Sequence, residues 1–301
     1  MTTPLMLAMI ALALAQPVPA ALARTRWPDR SPRAAIVLWQ SLALAAVLAT
    51  LGAGLSAAWW LVLHEGRPVA DPGLLRVGLH VACLGLTLLV GVRLTWAAWS
   101  VGRELRSARR RHRHLVDLLG APDAAHGGVR VLDASDPIAY CVPGLDSRVV
   151  ITRGALSALE EPEVEAVLAH ERSHLRARHD LVVEGFSALH RAFPRLLRSD
   201  ASLDRTRELV EMLADDRARV RTGELPLARA LVKVGGRPAP QGALGSGGGV
   251  LERRLLRIAD PPQARAAAAA CYLLAAAVTI GPTAALAIPW LSSAAATLRL
   301  G

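Results

Sequence analysis

Two histidines four residues apart, His170 and His174, with Glu171 directly after the first, form the pattern H-E-x-x-H within Ala166-Val-Leu-Ala-His-Glu-Arg-Ser-His-Leu175. A helix turns by about 100° per residue, so the two imidazoles project from one face on successive turns and can share a metal ion. The chemistry this implies is zinc-dependent peptide hydrolysis. Glu171 would act as the base, taking a proton from a water whose pKa zinc lowers to about 7.

The string alone arises by chance in roughly one chain in a hundred of this composition, so its setting matters. Pro162 suits a first helical turn, and Glu163 and Glu165 suit the positive helix start. Val164, Val167, Leu168 and Leu175 share a stripe with His170, Glu171 and His174, while Glu165, Arg172, Ser173 and Arg176 make the opposite, solvated face. A carboxylate aimed into a core needs a cation there, and zinc would supply one.

A third ligand is required. The metzincin arrangement needs Gly and His three and six residues after His174, but Ala177 and Asp180 stand there. Downstream, Glu211-Met-Leu-Ala-Asp-Asp-Arg-Ala218 places Glu211 and Asp215 on one helical face. Glu211 would complete the metal site, and Asp215 would orient a ligand histidine through its free ring N–H. The competing reading is a surface of paired charges with Arg207, Arg217 and Arg219. His179 follows His174 by five positions, which turns it well away from the metal face, so a helix-end histidine is expected there rather than a ligand. Asp180 and His190 are neighbours without an assigned role.

With these elements the chain resembles the gluzincin metallopeptidases of the HtpX and CAAX prenyl protease group, and more closely the BlaR/MecR group of membrane antirepressor peptidases. Asp136-Pro-Ile-Ala-Tyr-Cys-Val-Pro-Gly144, Arg148-Val-Val-Ile-Thr152 and Ala169-His-Glu-Arg-Ser-His-Leu-Arg-Ala-Arg-His-Asp180 carry the likeness, which covers about residues 115–260. The penicillin-binding sensor domain of BlaR-type proteins is not expected, since the chain ends some ten residues beyond Trp290. The resemblance implies a zincin-like domain with one zinc per chain. It also implies that the edge strand Ile138, Ala139, Tyr140, Cys141 and Val142 holds a substrate backbone as an added strand; an ordinary hairpin packed on the helix explains those residues equally well.

The rest of the sequence supplies a membrane frame. Of its 301 residues 52% are hydrophobic, mostly Ala, Leu and Val in long runs. Four runs can span a bilayer: about Pro4 to Ala23, Ile36 to Val62, Val77 to Trp96 and Ala267 to Trp290. All seven Trp lie in or beside them, as interfacial anchors should. Ala21-Leu-Ala23 resembles a signal-peptidase site, but Met-Thr-Thr-Pro lacks the usual positive start. Arg24, Arg26, Arg30 and Arg33 follow the first run, and Arg103, Arg106, Arg109, Arg110, Arg111 and Arg113 follow the third. Retaining the first run places both clusters in the cytoplasm by the positive-inside rule. The net charge of +10 then faces anionic lipid, and direct nucleic-acid binding is not expected.

Between the third and fourth runs, Val129 to Leu132, Ile138 to Val142 and Arg148 to Thr152 read as strands, the last two joined through Pro143-Gly-Leu-Asp146. Cys83, Cys141 and Cys271 have no metal-ligand spacing and are expected as free thiols in a reducing compartment. The stretch Gly235–Gly249 reads as a loop or linker, and a helix from about Val250 explains Arg253-Arg254 more simply than a self-cleavage site.

The expected fold is mainly α with a small β-sheet. Residues 1–99 would hold three transmembrane helices, 100–265 a cytoplasmic zinc metallopeptidase domain, and 266–301 a fourth transmembrane helix with a short tail. The expected function is that of a bacterial multi-pass cell-membrane endopeptidase cutting a cytoplasmic regulator, such as a transcriptional repressor, or a membrane-associated protein. The alternative is a signalling adaptor with a vestigial zinc site.

Overall fold

Alanine and leucine dominate the apolar runs, and both are strong helix formers, so the runs become helices until a proline or a polar turn stops them. A computed structural model describes residues 2–64, 67–68, 73–193, 200–234, 248–260 and 264–299. By its contacts the chain divides into two units, Met1–Ala98 with Leu189–Ser202 and Arg265–Gly301, and Trp99–Ala188 with Leu203–Ala264.

The first unit holds α1 (Thr2–Ala15), α2 (Pro17–Ala23), a 3-10 turn (Trp27–Arg30), α3 (Pro32–Val62), a two-strand hairpin of β1 (Leu63–His64) and β2 (Arg67–Pro68), and α11 (Arg265–Arg299). Pro17 has no amide hydrogen, and the chain breaks between α1 and α2 at Gln16. α3 packs against α1 and α11 and buries Ala34, Ala35, Ala45, Ala49 and Ala58. Small side chains let helices approach closely where lipid gives no hydrophobic drive for association.

Four segments are long and apolar enough to cross a membrane: Thr3–Ala23, Pro32–Trp59, Gly73–Leu119 and Arg265–Ala285. They coincide with the four runs and suggest a membrane protein. The third goes further than the sequence implied. Its helix, α4 (Gly73–Leu119), does not end near Trp96 but continues through the arginine-rich stretch to Leu119, which no proline interrupts. Along its apolar part Leu74, Leu75, Val81, Leu86 and Leu88 are all exposed, an apolar surface that suits a bilayer and not water.

In the second unit a four-stranded sheet carries the order β3-β4-β6-β5, formed by β3 (Ala121–Pro122), β4 (Val129–Leu132), β5 (Ala139–Val142) and β6 (Arg148–Thr152). β4 and β6 run parallel, and β5 pairs antiparallel with β6, Cys141 opposite Val149. Alternation sorts the side chains. Val149 and Ile151 join a core with Val164, Val167 and Leu168 of the helix α6 (Glu161–Ala177), whereas Val150, Tyr140 and Val142 pack with Val116 of α4. Tyr140 also meets His112, hydroxyl to Nε2 at 2.8 Å.

The helices α5 (Arg153–Ala158), α7 (His179–Ala192), α8 (Asp200–Thr222), α9 (Glu224–Val234) and α10 (Gly248–Ala259) complete the described elements. Residues 235–247 of the Gly- and Pro-rich stretch lie outside the described residues, and α10 begins at Gly248. α9 and α10 bury Leu227, Leu231 and Ile258 against Ala166 and Ala169 of α6 and Ala218 of α8. Glu160 and Glu163 form a capping box at the start of α6, with Pro162 in the first turn. Two residues of α6 depart from the expected amphipathic pattern. Ser173, assigned to the solvated face, is buried, and Glu163 is buried beneath Lys233, whose Nζ lies 2.6 Å from its Oε2.

Candidate metal centre

α6 carries His170, Glu171 and His174 on its buried side, and α8 brings Glu211 opposite them. The two Nε2 atoms lie 3.1 Å apart. Glu211 Oε2 is 3.5 Å from His170 Nε2, and its Oε1 is 3.5 Å from His174 Nε2. A tetrahedral zinc with bonds of 2.0–2.1 Å holds its donors about 3.3 Å apart, so the three side chains fit that ion. Among the described residues this is the one group of three or more His, Cys, Asp or Glu side chains whose ligand atoms lie close enough to share a metal ion, within 4.8 Å of one another.

Asp215 and Arg254 lie behind these side chains. Asp215, one helical turn beyond Glu211, sets its Oδ1 2.9 Å from His170 Nδ1, an ion-pair contact short of a well-aligned hydrogen bond. Arg254 of α10 is buried, 2% exposed; its Nε and Nη2 donate to the two oxygens of Asp215 at 2.6 and 2.8 Å, and its Nη1 lies 3.1 Å from Glu211 Oε2. The arginines near Glu211 in sequence do not fill this role. Arg207 pairs with Asp204 and Arg219 with Glu224. The sequence reading missed Arg254, although a signal existed: it sits on the stripe of Leu251, Leu255 and Ile258, where a solvated arginine has no place.

His179 stands at a helix end and outside the ligand group, as expected, but it does not turn away from the metal face. α6 ends at Ala177, and Arg178 takes the left-handed conformation at φ 52°, ψ 42°. This turn swings His179 back, so that its Nδ1 lies 3.1 Å from His174 Nδ1 with the rings nearly perpendicular. Asp180 is buried beside Arg109, whose Nη1 lies 3.1 Å from Asp180 Oδ2. His190, in the other unit, contacts Asp200.

Burial and close charges shift the titratable groups of the centre in opposite directions. Burial would depress His170, but the contacts with Asp215 and Glu211 outweigh it and hold the imidazole at about 10. Burial would raise Glu211, yet His174, His170 and Arg254 keep it well below the usual carboxylate range. Burial lowers His174 to about 3 and His179 to about 4, so both rings are neutral. Glu171 is pushed by burial up to about 7, and among the described residues its buried Oε2 has no hydrogen-bond partner. Three buried carboxylates, Glu171, Glu211 and Asp215, thus stand beside two cationic groups, the Arg254 guanidinium and the His170 imidazolium, and a metal ion on His170 Nε2 would take the place of that ring's proton.

Cys141 is fully buried on the face of β5 toward α6, with its thiol beside the Glu171 carboxylate. Burial, with Glu171 next, raises that thiol well above its ordinary value, which leaves it protonated and a poor nucleophile. β5 stands at the edge of the sheet. Thr152 N donates to Ile138 O at 3.0 Å, so by alternation Tyr140 and Val142 bond to β6 and the main-chain groups of Ala139 and Cys141 face outward.

Residues 104–208 match the model of peptidase family M48. The match supports a metallopeptidase of that family. It takes in the sheet and the α6 residues but stops short of Glu211, Asp215 and Arg254, whose place in the centre rests on the geometry. No curated protein and no solved structure matches the chain.

Proposed function

We propose that the protein is a multi-pass membrane zinc endopeptidase. The observation that carries this reading is the grouping of His170, His174 and Glu211, their ligand atoms within 4.8 Å of one another, directly beside Glu171. Zinc held by those three residues would polarise a peptide carbonyl and acidify water. Glu171 does the proton work: its buried carboxylate takes a proton from the attacking water and returns it to the departing amide nitrogen. Its elevated value near 7 suits both transfers. Asp215 and Arg254 keep His170 and Glu211 aimed at the ion.

β5 offers main-chain hydrogen bonds at Ala139 and Cys141 to an extended substrate strand, while the side chains of Tyr140, Cys141 and Val142 are buried. Ile138 stands at the entry to that edge. In the proposed layout residues 1–99 and 266–301 span the bacterial cell membrane, and the arginine clusters hold residues 100–265 in the cytoplasm. The substrates are then a cytoplasmic regulator, such as a repressor, or a membrane-associated protein. Detergent-purified protein should cleave casein or a peptide library, lose that activity to a chelator and regain it with zinc. Cleavage that persists after the metal is stripped would contradict the reading.

A further inference from the structure

A neutral imidazole carries one hydrogen on two nitrogens. Once Nε2 of His174 is given to a metal, the hydrogen must reside on Nδ1, and something must receive it in a site closed to water. His170 has Asp215 at that position, 2.9 Å away. His174 has no carboxylate there. Its Nδ1 faces His179 Nδ1 at 3.1 Å, with the ring planes at 87°, so the in-plane N–H of one ring can meet the in-plane lone pair of the other.

We propose that His179 is a positioning residue for His174, accepting at Nδ1 the hydrogen of the metal-bound imidazole and so fixing its tautomer and orientation. The proposal rests on the zinc reading above. Three further observations support it. His179 is 2% exposed, so water does not compete for the contact. Among the described residues its Nε2 has no hydrogen-bond partner, so His174 is the polar contact that orients the ring. The third is the backbone: a non-glycine residue, Arg178, occupies the left-handed region at the one place that returns His179 to its neighbour five residues back. The two histidine ligands are therefore braced from their far sides by different groups, a carboxylate from α8 and an imidazole from the helix junction.

The test uses the full chain in detergent, with zinc affinity from competition against a chromophoric chelator and the visible spectrum of the cobalt-substituted protein as readouts. His179→Phe keeps the ring's bulk without an acceptor, whereas His179→Asn places an amide oxygen close to the position of Nδ1. The expected result is a loss of zinc affinity of about 10- to 100-fold and shifted cobalt bands for His179→Phe, with His179→Asn within about threefold of wild type. If the phenylalanine variant fails to fold, His179→Ala replaces it as the variant lacking an acceptor, compared with His179→Asn in the same way. Equal affinity in wild type and the variant lacking an acceptor overturns the proposal, as does an asparagine variant as weak as that one. Wild-type protein that binds no zinc would instead overturn the hydrolase reading itself.

Discussion

Glu171→Gln should lower peptide hydrolysis by about 10²- to 10⁴-fold while the protein keeps its zinc. The carboxylate is buried, sits beside the three metal donors and does not belong to that donor set. Glutamine matches its shape and retains an oxygen for the Cys141 thiol, so the fold and the metal should survive. What it removes is the capacity to take up and return a proton. Turnover and metal content measured on one preparation check the expectation. Lost turnover with lost zinc would make Glu171 a structural member of the site, and unchanged turnover would remove it from the mechanism.

Arg254→Met should cost about 3–5 kcal/mol of stability in the metal-free protein, because it takes the guanidinium from two buried carboxylates and leaves them to share the His170 imidazolium. Arg254 spans both oxygens of Asp215 and reaches Glu211, and no solvent relieves the charge left behind. Zinc should narrow the gap. A divalent ion at Glu211 and His170 replaces part of the lost positive charge, so added zinc should raise the thermal midpoint of the variant more than that of wild type. Thermal unfolding in detergent, with and without zinc, gives both numbers. A variant that melts with wild type in the absence of metal would show that the carboxylates find another partner.

Much of the centre was legible in the sequence because helical periodicity is local. The i, i+4 spacing alone puts His170 beside His174 and Glu211 beside Asp215, and the apolar stripe on α6 says which face is buried. Val129 to Leu132 and Arg148 to Thr152 read as strands because β-branched residues cluster there between turn signals; their parallel pairing was not legible, since register between distant segments leaves no local mark. Arg254 was hidden for the same reason. Ion-pair partners were sought among the arginines nearest in sequence, whereas the actual partner lies on another helix, 39 residues beyond Asp215. The direction of His179 was misread for a different reason. The extrapolation assumed an unbroken helix, and no glycine or asparagine warned that Arg178 would turn left-handed.

The central claim is that two imidazoles of α6 and one carboxylate of α8 hold a single zinc ion. Equilibrium dialysis of detergent-purified wild-type protein and Glu211→Ala against a graded zinc series tests it most directly. The wild-type chain should bind one zinc tightly, with the affinity lowered by at least about 100-fold when Glu211 is truncated. Wild-type protein without zinc, or a truncated variant that holds it as tightly, would contradict the account.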